Sequence, residues 1–166
     1  IKTIDCSSQE SAIFGYDVFD NSTYDSYIFY FCNVIVATEE GWLFATAAVT
    51  TSGGVPDHDS TEWDEANGNY HYNLSYDASG FVIGGNVGTD TNETGLSGQW
   101  ELYATHLSAY TNALSKTMWQ DTTGQMVSSM SSPSMTGQYL VTTAITNLRF
   151  QFQSSFSDAT ALQTME

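Results

Sequence analysis

Six consecutive residues, 27–32, constrain the fold of this chain more than any other segment. All six are bulky and apolar or aromatic (YIFYFC), and a turn-forming cluster, residues 22–26, precedes them. A short continuous apolar run bounded by a turn signal is typical of a β-strand that is buried on both faces. The segment is therefore predicted to be a central strand of two packed β-sheets.

Period-two alternation of apolar and polar residues recurs along the rest of the chain, whereas helical periodicity is nearly absent. The clearest alternation runs from Tyr70 to Tyr76, where every second residue is Tyr or Leu and the residues between are His, Asn and Ser. These patterns predict strands at residues 1–6, 12–19, 27–37, 42–50, 69–78, 81–85, 97–105, 115–121, 125–130 and 144–153, with a last one beginning at 161.

Loops rich in Gly, Asn, Asp, Ser and Pro separate these segments, the longest of them covering residues 52–68 and 84–95. About ten to eleven short strands at this spacing favour an all-β sandwich or barrel, and two packed antiparallel sheets suit a chain of 166 residues best. A chain of this length is large enough to bury one hydrophobic core. No internal repeat or linker interrupts it, so residues 1–166 are expected to form a single domain.

The balance of charged residues excludes two classes of partner. Three cations stand against nineteen acids, which gives a formal net charge of -16. Phosphate backbones and anionic membrane surfaces are bound through clustered Lys and Arg, which this sequence lacks. No apolar run approaches the roughly 20 residues of a membrane-spanning helix. We therefore expect no nucleic-acid partner and no membrane partner, and acidity of this kind keeps a protein soluble.

Two cysteines, Cys6 and Cys32, fall in predicted core segments. Neighbouring strands could bring them close enough for a disulfide, which requires Cα atoms within about 7 Å, but the sequence does not decide it. Of the two alternatives we favour buried free cysteines, which behave as small apolar side chains. Neither cysteine lies near another Cys or a His at metal-ligand spacing.

Two acidic loops have the residue types of a cation site. Residues 57–59 (DHD), with Glu62, Asp64 and Glu65, could bind a divalent cation through carboxylates and an imidazole. Residues 90–93 could hold Ca²⁺ but lack the EF-hand loop pattern and its final Glu. Acidic residues collect in solvated loops, so a solvated loop is the favoured interpretation. We expect no metal and no cofactor.

Only one residue has the surroundings of a catalytic acid, Glu101. It lies beside Trp100 and near Tyr103, but it belongs to no matched pair of carboxylates such as glycosidases use. On a strand Glu101 and Tyr103 share a face, which is equally consistent with an exposed polar side chain. Residues 95–98 (GLSG) miss the Gly-x-Ser-x-Gly nucleophile motif by one position. We predict that the protein is not an enzyme, and no catalytic residue is assigned.

Aromatic residues give a better functional indication. Trp63, Tyr70, Tyr72 and Tyr76 could form a ledge on which sugar rings stack, because sugars are recognised by flat aromatic faces surrounded by Asn, Asp and Gln. A period-two stripe of Tyr also needs burial, so the alternative is that these rings belong to the core with their hydroxyls at its rim. That alternative is favoured, and the four residues stand as a candidate glycan-binding site.

Four blocks of sequence, taken in order, resemble a known family. Residues 22–38 (STYDSYIFYFCNVIVAT) resemble the STYDEY…FxNIxPAT segment of a widespread phage virion protein family, with Val36 in place of the Pro. Residues 51–54 (TSGG) correspond to its STDGG, and residues 95–103 (GLSGQWELY) to a strand of the form G-(L/A)-S-G-x-I-x-L-(F/Y). Residues 144–166 are similar to the closing segment of the family. Its members are described as structural or tail-fibre proteins of phages, many of them marine.

The resemblance implies a jelly-roll-like antiparallel β-sandwich displayed on a virion. We accordingly expect a non-enzymatic module of a tail fibre, head fibre or capsid-decoration layer, assembled in the bacterial host cytoplasm and exposed on the particle exterior. Its partners would be other virion proteins, copies of itself in a homo-oligomer, and a host surface glycan. Assembly predicts an exposed apolar patch, expected near Trp42, Phe44 and Trp119. The alternatives are a carbohydrate-binding module or lectin-like domain, and a sandwich-type glycoside hydrolase acting through Glu101.

Overall fold

The structure is a computed structural model. It describes residues 2–6, 11–15, 17–19, 23–37, 41–49, 55–56, 60–65, 69–72, 76–78, 80–89, 93–105, 109–130, 135–153 and 162–163. For residues 72, 76–78 and 162–163 it describes the backbone alone. Every regular element among these residues is a β-strand, and none of them forms a helix that could cross a membrane.

Twelve strands are present in the described part of the chain. They are β1 (Ala12–Phe14), β2 (Ser26–Val34), β3 (Gly41–Ala48), β4 (Tyr70–Tyr72), β5 (Tyr76–Ala78), β6 (Phe81–Val87), β7 (Leu96–Tyr103), β8 (Thr111–Gln120), β9 (Met126–Ser128), β10 (Thr136–Tyr139), β11 (Asn147–Gln153) and β12 (Leu162–Gln163). The predicted all-β fold is therefore confirmed, and the short strands are slightly more numerous than expected.

Some strands differ in extent from the predicted ones. Residues 2–6, expected to form a strand, have no regular structure. The predicted strand at residues 69–78 is two strands, β4 and β5, which pair antiparallel with Tyr72 opposite Tyr76. Asn73 and Ser75 are turn-forming residues, but the unbroken alternation through this segment predicted a single strand. β10 has no counterpart in the prediction, because its four residues, TGQY, are mostly small or polar.

The strands form two antiparallel sheets that pack against each other. The five-stranded sheet has the order β1-β11-β3-β6, and β12 also pairs with β11. The seven-stranded sheet has the order β2-β7-β8-β10-β4-β5, and β9 also pairs with β8. The chain changes sheet at most of its early connections, since β1, β3 and β6 lie in one sheet and β2, β4, β5 and β7 in the other. This path is jelly-roll-like, and the predicted two-sheet sandwich is confirmed.

Aromatic side chains fill the space between the sheets. Phe150 on β11 contacts Phe29 on β2 and Trp100 on β7, with ring centroids 5.0 and 5.7 Å apart. Phe81 on β6 lies 5.3 Å from Trp100 in a similar edge-to-face arrangement. All four rings are buried. Such geometry adds to the free energy gained by removing the rings from water, so these contacts hold the two sheets together.

The apolar segment that dominates the sequence is not a central strand. β2 ends the seven-stranded sheet among the described strands, where it pairs with β7. Its residues Phe29 and Val34 are buried, but Ile28 is 51% exposed and Tyr30 is 75% exposed. The prediction of a strand buried on both faces is therefore wrong for β2. An apolar run indicates two faces that avoid water, and either face can be covered by another molecule instead of by the same chain.

Burial on both faces occurs instead in β11 and most of β3, because a loop segment covers the outer face of the five-stranded sheet. Residues 60–65 lie against this face, and the Asp64 N–H donates a hydrogen bond to the Ala47 carbonyl oxygen at 2.9 Å. The Trp63 ring lies over the Arg149 guanidinium, whose Cζ atom is 4.9 Å from the ring centroid. The loop thus forms a third layer over this sheet.

The buried cation under this loop is held by polar groups. Arg149 is 2% exposed, and its Nε–H donates to Thr46 Oγ1 at 3.1 Å. A terminal N–H of Arg149 donates to the Glu65 carboxylate. Burial lowers the pKa of Arg149, and the adjacent Glu65 opposes that shift. Because a buried guanidinium needs a charged partner, the ion pair connects the loop to the sheet.

The two cysteines are both free. Cys6 is partly buried, and Cys32 is exposed on β2. The expectation of free cysteines is confirmed, but the expected burial of Cys32 is wrong. Cys32 lies at an irregularity of the β2–β7 pairing between Phe31 and Val34, on a strand whose outer face is open.

Candidate functional site

The predicted glycan-binding ledge is not exposed at the two positions whose side chains are described, Trp63 and Tyr70, which are both buried. The Tyr70 ring packs against Phe81 and Tyr139 with centroids 5.2 and 4.8 Å away, and its hydroxyl oxygen accepts a hydrogen bond from the Ala47 N–H at 2.9 Å. Desolvation raises the pKa of Tyr70 well above its ordinary value. Tyr70 is a core residue, as the favoured interpretation of the Tyr stripe predicted, and Trp63 is buried as well, so neither ring offers an exposed face to a sugar.

Other predicted groups lie outside the described residues. The side chains of Tyr72 and Tyr76 do so, and their assignment to a glycan site stays a prediction. Residues 57–59 of the first acidic loop lie outside as well. The described Asp64 of that loop accepts hydrogen bonds from Asn69 Nδ2 at 2.8 Å and from the Tyr139 hydroxyl at 2.8 Å, so its carboxylate has a structural role.

The apolar patch predicted for assembly is misplaced. Phe44 and Trp119 are buried, and Trp42 is partly buried against the core. Phe44 lies on the strand that the covering loop and the second sheet enclose, while Trp119 points from β8 into the space between the sheets, next to the backbone of Gly84. The prediction of an exposed patch is therefore wrong for Phe44 and Trp119. Large apolar side chains in these strands pack inward, which composition alone does not reveal.

Exposed apolar side chains instead lie along β2 and the turn before it. Tyr24, Ile28 and Tyr30 are the exposed members, and we refer to them as the edge patch. They border a groove of about 1220 Å³ between β1 and β2. The groove has mostly apolar walls, which include Ile4, Phe14, Val18, Tyr27 and Phe31. A contiguous apolar surface of this kind marks a place where a protein contacts another molecule.

The outer face of the seven-stranded sheet carries a second candidate site, a polar cluster around Glu101. Gln99 Nε2 donates to Glu101 Oε1 at 2.6 Å, Lys116 Nζ donates to the same oxygen, and the Tyr103 hydroxyl donates to Oε2. We refer to these four residues as the Glu101 cluster. Gln99, Glu101 and Tyr103 alternate along β7 and share one face, and Lys116 lies opposite Gln99 on β8. The expectation that Glu101 and Tyr103 share a face is confirmed.

Electrostatics make this cluster locally neutral. The hydrogen bond from Lys116 is the main cause that lowers the pKa of Glu101 below its ordinary value of 4.5, partial desolvation opposes the shift, and Gln99 reinforces it. The carboxylate is therefore ionised at neutral pH, and the Lys116 ammonium balances its charge. In a chain with a net charge of -16, such a balanced region differs from the rest of the surface.

The immediate neighbours of Glu101 on the sheet face are uncharged. Its cross-strand neighbours are Ile28 and Leu114, and its neighbours along β7 on the same face are Gln99 and Tyr103. None of these four carries the second carboxylate that glycosidases place about 5 to 9.5 Å from the first. Among the residues that the structure describes, no three His, Cys, Asp or Glu side chains come together to hold a metal ion.

Comparison with known proteins does not add an assignment. No protein-family model matches the chain, and neither a curated protein nor a solved structure does. The likeness to phage virion proteins therefore depends on the sequence blocks described above. Because one fold hosts many functions, the function has to be argued from the surfaces of this molecule.

Sequence reasoning missed the edge patch and the partners of Glu101. The edge patch had a signal in the sequence, since Ile28 and Tyr30 belong to an uncharged strand in a strongly acidic chain. The signal for the partners of Glu101 was the scarcity of cations. With three Lys and Arg residues in the chain, a Lys inside a strand such as Lys116 indicates a specific carboxylate partner. Which carboxylate it meets depends on strand register, which the sequence does not show.

Proposed function

We propose that this chain is a bacteriophage virion structural protein. It is a non-enzymatic β-sandwich module of a tail fibre, head fibre or capsid-decoration layer, and it assembles with copies of itself through the edge patch. The observation that carries the assembly is the exposure of Ile28 and Tyr30 on the last described strand of the seven-stranded sheet. The virion context is supported by the resemblance of the four sequence blocks.

The composition of β2 favours contact between two copies. Sheet edges are usually kept apart by Lys and other charged residues, or by Pro, which prevent pairing with a second molecule. Residues 26–34 contain no charged residue and no proline, although the whole chain has a net charge of -16. A contact at this strand therefore joins uncharged strips of two molecules that repel each other elsewhere.

The geometry of β2 supports an edge-to-edge contact. Two β2 strands that pair antiparallel would continue the seven-stranded sheet across a two-fold axis. Regular pairing of β2 with β7 ends at the irregularity between Phe31 and Val34, where Asn33 has a φ of 50°. Residues 26–31 are thus the regularly paired segment of β2, and we propose that it meets a second copy. In that arrangement Ile28 and Tyr30 gain cross-strand neighbours and lose contact with water.

Sedimentation velocity over a range of concentrations tests this assembly. We expect the purified chain to form dimers or larger species, and Ile28→Lys and Tyr30→Lys to shift it to monomers because each places a charge on the contact. Met126→Lys is the matched control, since Met126 is exposed on β9 and belongs to no part of the edge patch. A wild-type chain that stays monomeric at every concentration would contradict the proposal.

The virion context has its own test. Mass spectrometry of purified particles should detect peptides of this chain in a fixed ratio to the major capsid protein. Immunogold labelling of intact particles should then place the chain on the exterior. Absence of the chain from washed particles would contradict a virion role and leave the self-association result standing.

A further inference from the structure

The Glu101 cluster is part of a larger polar surface on the open sheet face. Asn112 on β8 lies opposite Tyr103 on one side and opposite Gln138 of β10 on the other. Gln138 Nε2 donates to Asn112 Oδ1 at 3.0 Å. Tyr103, which is 38% exposed, lies between this amide pair and Glu101. We propose that this face binds a neutral oligosaccharide, with the Tyr103 ring as its stacking platform.

The hydrogen-bonding groups on this face match sugar hydroxyls. A hydroxyl group both donates and accepts, so neighbouring hydroxyls are bound best by side chains that offer both functions. Beyond the bonds already described, Gln99 offers an amide oxygen, Lys116 offers further N–H groups, and Asn112 offers its amide N–H groups. These donors and acceptors project from neighbouring strands onto one surface.

The internal bonds of the cluster hold these groups in place. Glu101 is nearly buried, and each of its carboxylate oxygens already accepts a hydrogen bond from the cluster. Its role is thus to fix the side chains of Gln99, Tyr103 and Lys116. Side chains that are already ordered lose less conformational entropy when a ligand binds. Glu101 is therefore a positioning residue for the sugar-contacting groups.

The apolar component of sugar recognition is also present. The C–H face of a sugar ring packs on an aromatic ring, and the hydrogen bond of the Tyr103 hydroxyl to Glu101 fixes the position of that ring. Leu114 lies opposite Glu101 on β8, in the same row of the sheet face, and extends the apolar surface. Gln99 on β7 and Gln138 on β10 lie at opposite corners of this surface, four positions apart along the strands and two strands apart, which is about 16 Å between their backbones. This span exceeds a single sugar ring, so the ligand is an oligosaccharide.

Charge decides between neutral and acidic sugars. Lys116 and Glu101 neutralise each other, so no cation is left over for a carboxylate or sulfate group on a glycan. The net charge of -16 repels an acidic polymer as it approaches. A neutral oligosaccharide meets neither obstacle, and we assign the site to that class.

This inference deepens the proposed function, because a glycan site on an exposed virion surface serves attachment to a host. It does not depend on self-association through β2. The site lies on the face of the sheet, whereas the proposed contact between copies lies at its edge. Glycan binding and assembly can therefore fail independently, and the two are measured by different experiments.

A glycan array carrying neutral and acidic oligosaccharides, followed by titration calorimetry with a bound neutral glycan, tests the site. We expect binding to neutral glycans, and a loss of affinity of about tenfold or more in Tyr103→Ala and in Gln99→Ala. Tyr103→Phe keeps the ring and should retain most of the affinity. Met130→Ala is the control for an exposed apolar side chain, since Met130 is exposed after β9, outside both the edge patch and the Glu101 cluster, and should bind as wild type does.

Several results would overturn the site assignment. They are no binding to any neutral glycan on the array, binding to acidic glycans alone, or full affinity in Tyr103→Ala. Circular dichroism melting of each variant shows whether it is folded. Should Tyr103→Ala not fold, the exposed Asn112→Ala takes its place, and unchanged affinity in that variant would count against the site. A chain that self-associates but binds no neutral glycan would refute this inference and leave the proposed assembly intact.

Discussion

The outer faces of the two sheets reverse the usual relation between polarity and burial. On the five-stranded sheet, Arg149 and Gln151 are buried beneath the loop that carries Trp63 and Glu65. On the seven-stranded sheet, Ile28 and Tyr30 of β2 and Met118 of β8 are exposed, and no described segment lies over them. The comparison teaches that a strand's own polarity does not decide which face meets water. What decides it is where the loops pack.

Each outer face also holds an ion pair among its described residues. In one pair the cation is the more buried member, and in the other the carboxylate is. In the Arg149–Glu65 pair the side chains are 3% and 32% exposed, and in the Lys116–Glu101 pair they are 34% and 10% exposed. The covered face thus buries a cation, whereas the open face shields a carboxylate and leaves its cation accessible. Equivalent substitutions on the two faces should therefore have unequal effects.

Removing the cover should have the largest effect on stability. Trp63→Ala deletes a buried ring above Arg149, and truncation of a buried Trp costs about 3–5 kcal/mol. Tyr30→Ala on the open face, measured at a concentration at which the chain is monomeric, should change the free energy of unfolding by no more than about 0.5 kcal/mol. Urea denaturation followed by circular dichroism measures both values. Similar losses in the two variants would remove the distinction between a covered and an open face.

Breaking the ion pair on the covered face should have the next largest effect. Arg149→Met leaves Glu65 without its partner, and removal of one member of a buried pair costs about 3–5 kcal/mol. Because Glu65 retains some access to water, we expect a loss near the lower end of this range. Lys116→Met, the matched change on the open face, should cost less than about 1 kcal/mol. The comparison fails if the two losses measured in urea are equal.

The dependence of stability on pH should show a smaller contribution from Glu101. Its pKa in the folded chain lies below the ordinary value of 4.5. The unfolded chain therefore takes up a proton at higher pH than the folded chain does. The stabilisation is present above about pH 4.5 and is lost as the pH falls through the folded pKa. In urea unfolding at a series of pH values, the free energy of unfolding should fall less steeply with falling pH in Glu101→Gln than in the wild type. Curves of stability against pH that are parallel in the two proteins would refute this contribution of Glu101.

The smallest effect is expected on the open face itself. Met118 is an exposed residue of β8, so Met118→Gln should leave the free energy of unfolding within about 0.5 kcal/mol of the wild type. A thermal melt is sufficient to measure it. A large loss would mean that another part of the chain covers this face, and the contrast between the two outer faces would then have to be abandoned.

The sequence predicted the class of the fold because alternation reports directly on strands. Period-two patterns around Leu148, Phe150 and Phe152 identify β11, and the same argument placed Glu101 and Tyr103 on one face of β7. These conclusions need only local geometry. They hold whatever the order of strands in the sheets.

What could not be predicted depends on contacts between segments that are distant in sequence. The apolar run of β2 looked like a central strand, since local pattern does not distinguish a buried face from one that is available to a partner. Trp63 was a candidate for the sugar-stacking ledge, and its burial depends on how residues 60–65 pack on the five-stranded sheet, although a single large apolar residue among Glu62, Asp64 and Glu65 signals an anchor. The Glu101 cluster required the β7–β8 register that places Lys116 beside it.

The position of β2 at the end of the sheet has a consequence for avidity. Antiparallel pairing about a two-fold axis turns the second molecule within the plane of the sheet, so the Glu101 clusters of both copies would point to the same side. One long polysaccharide would then reach two sites, and its second attachment would be intramolecular. Weak recognition by each module would add up to firm adhesion of a particle, and adhesion would be lost when the modules separate.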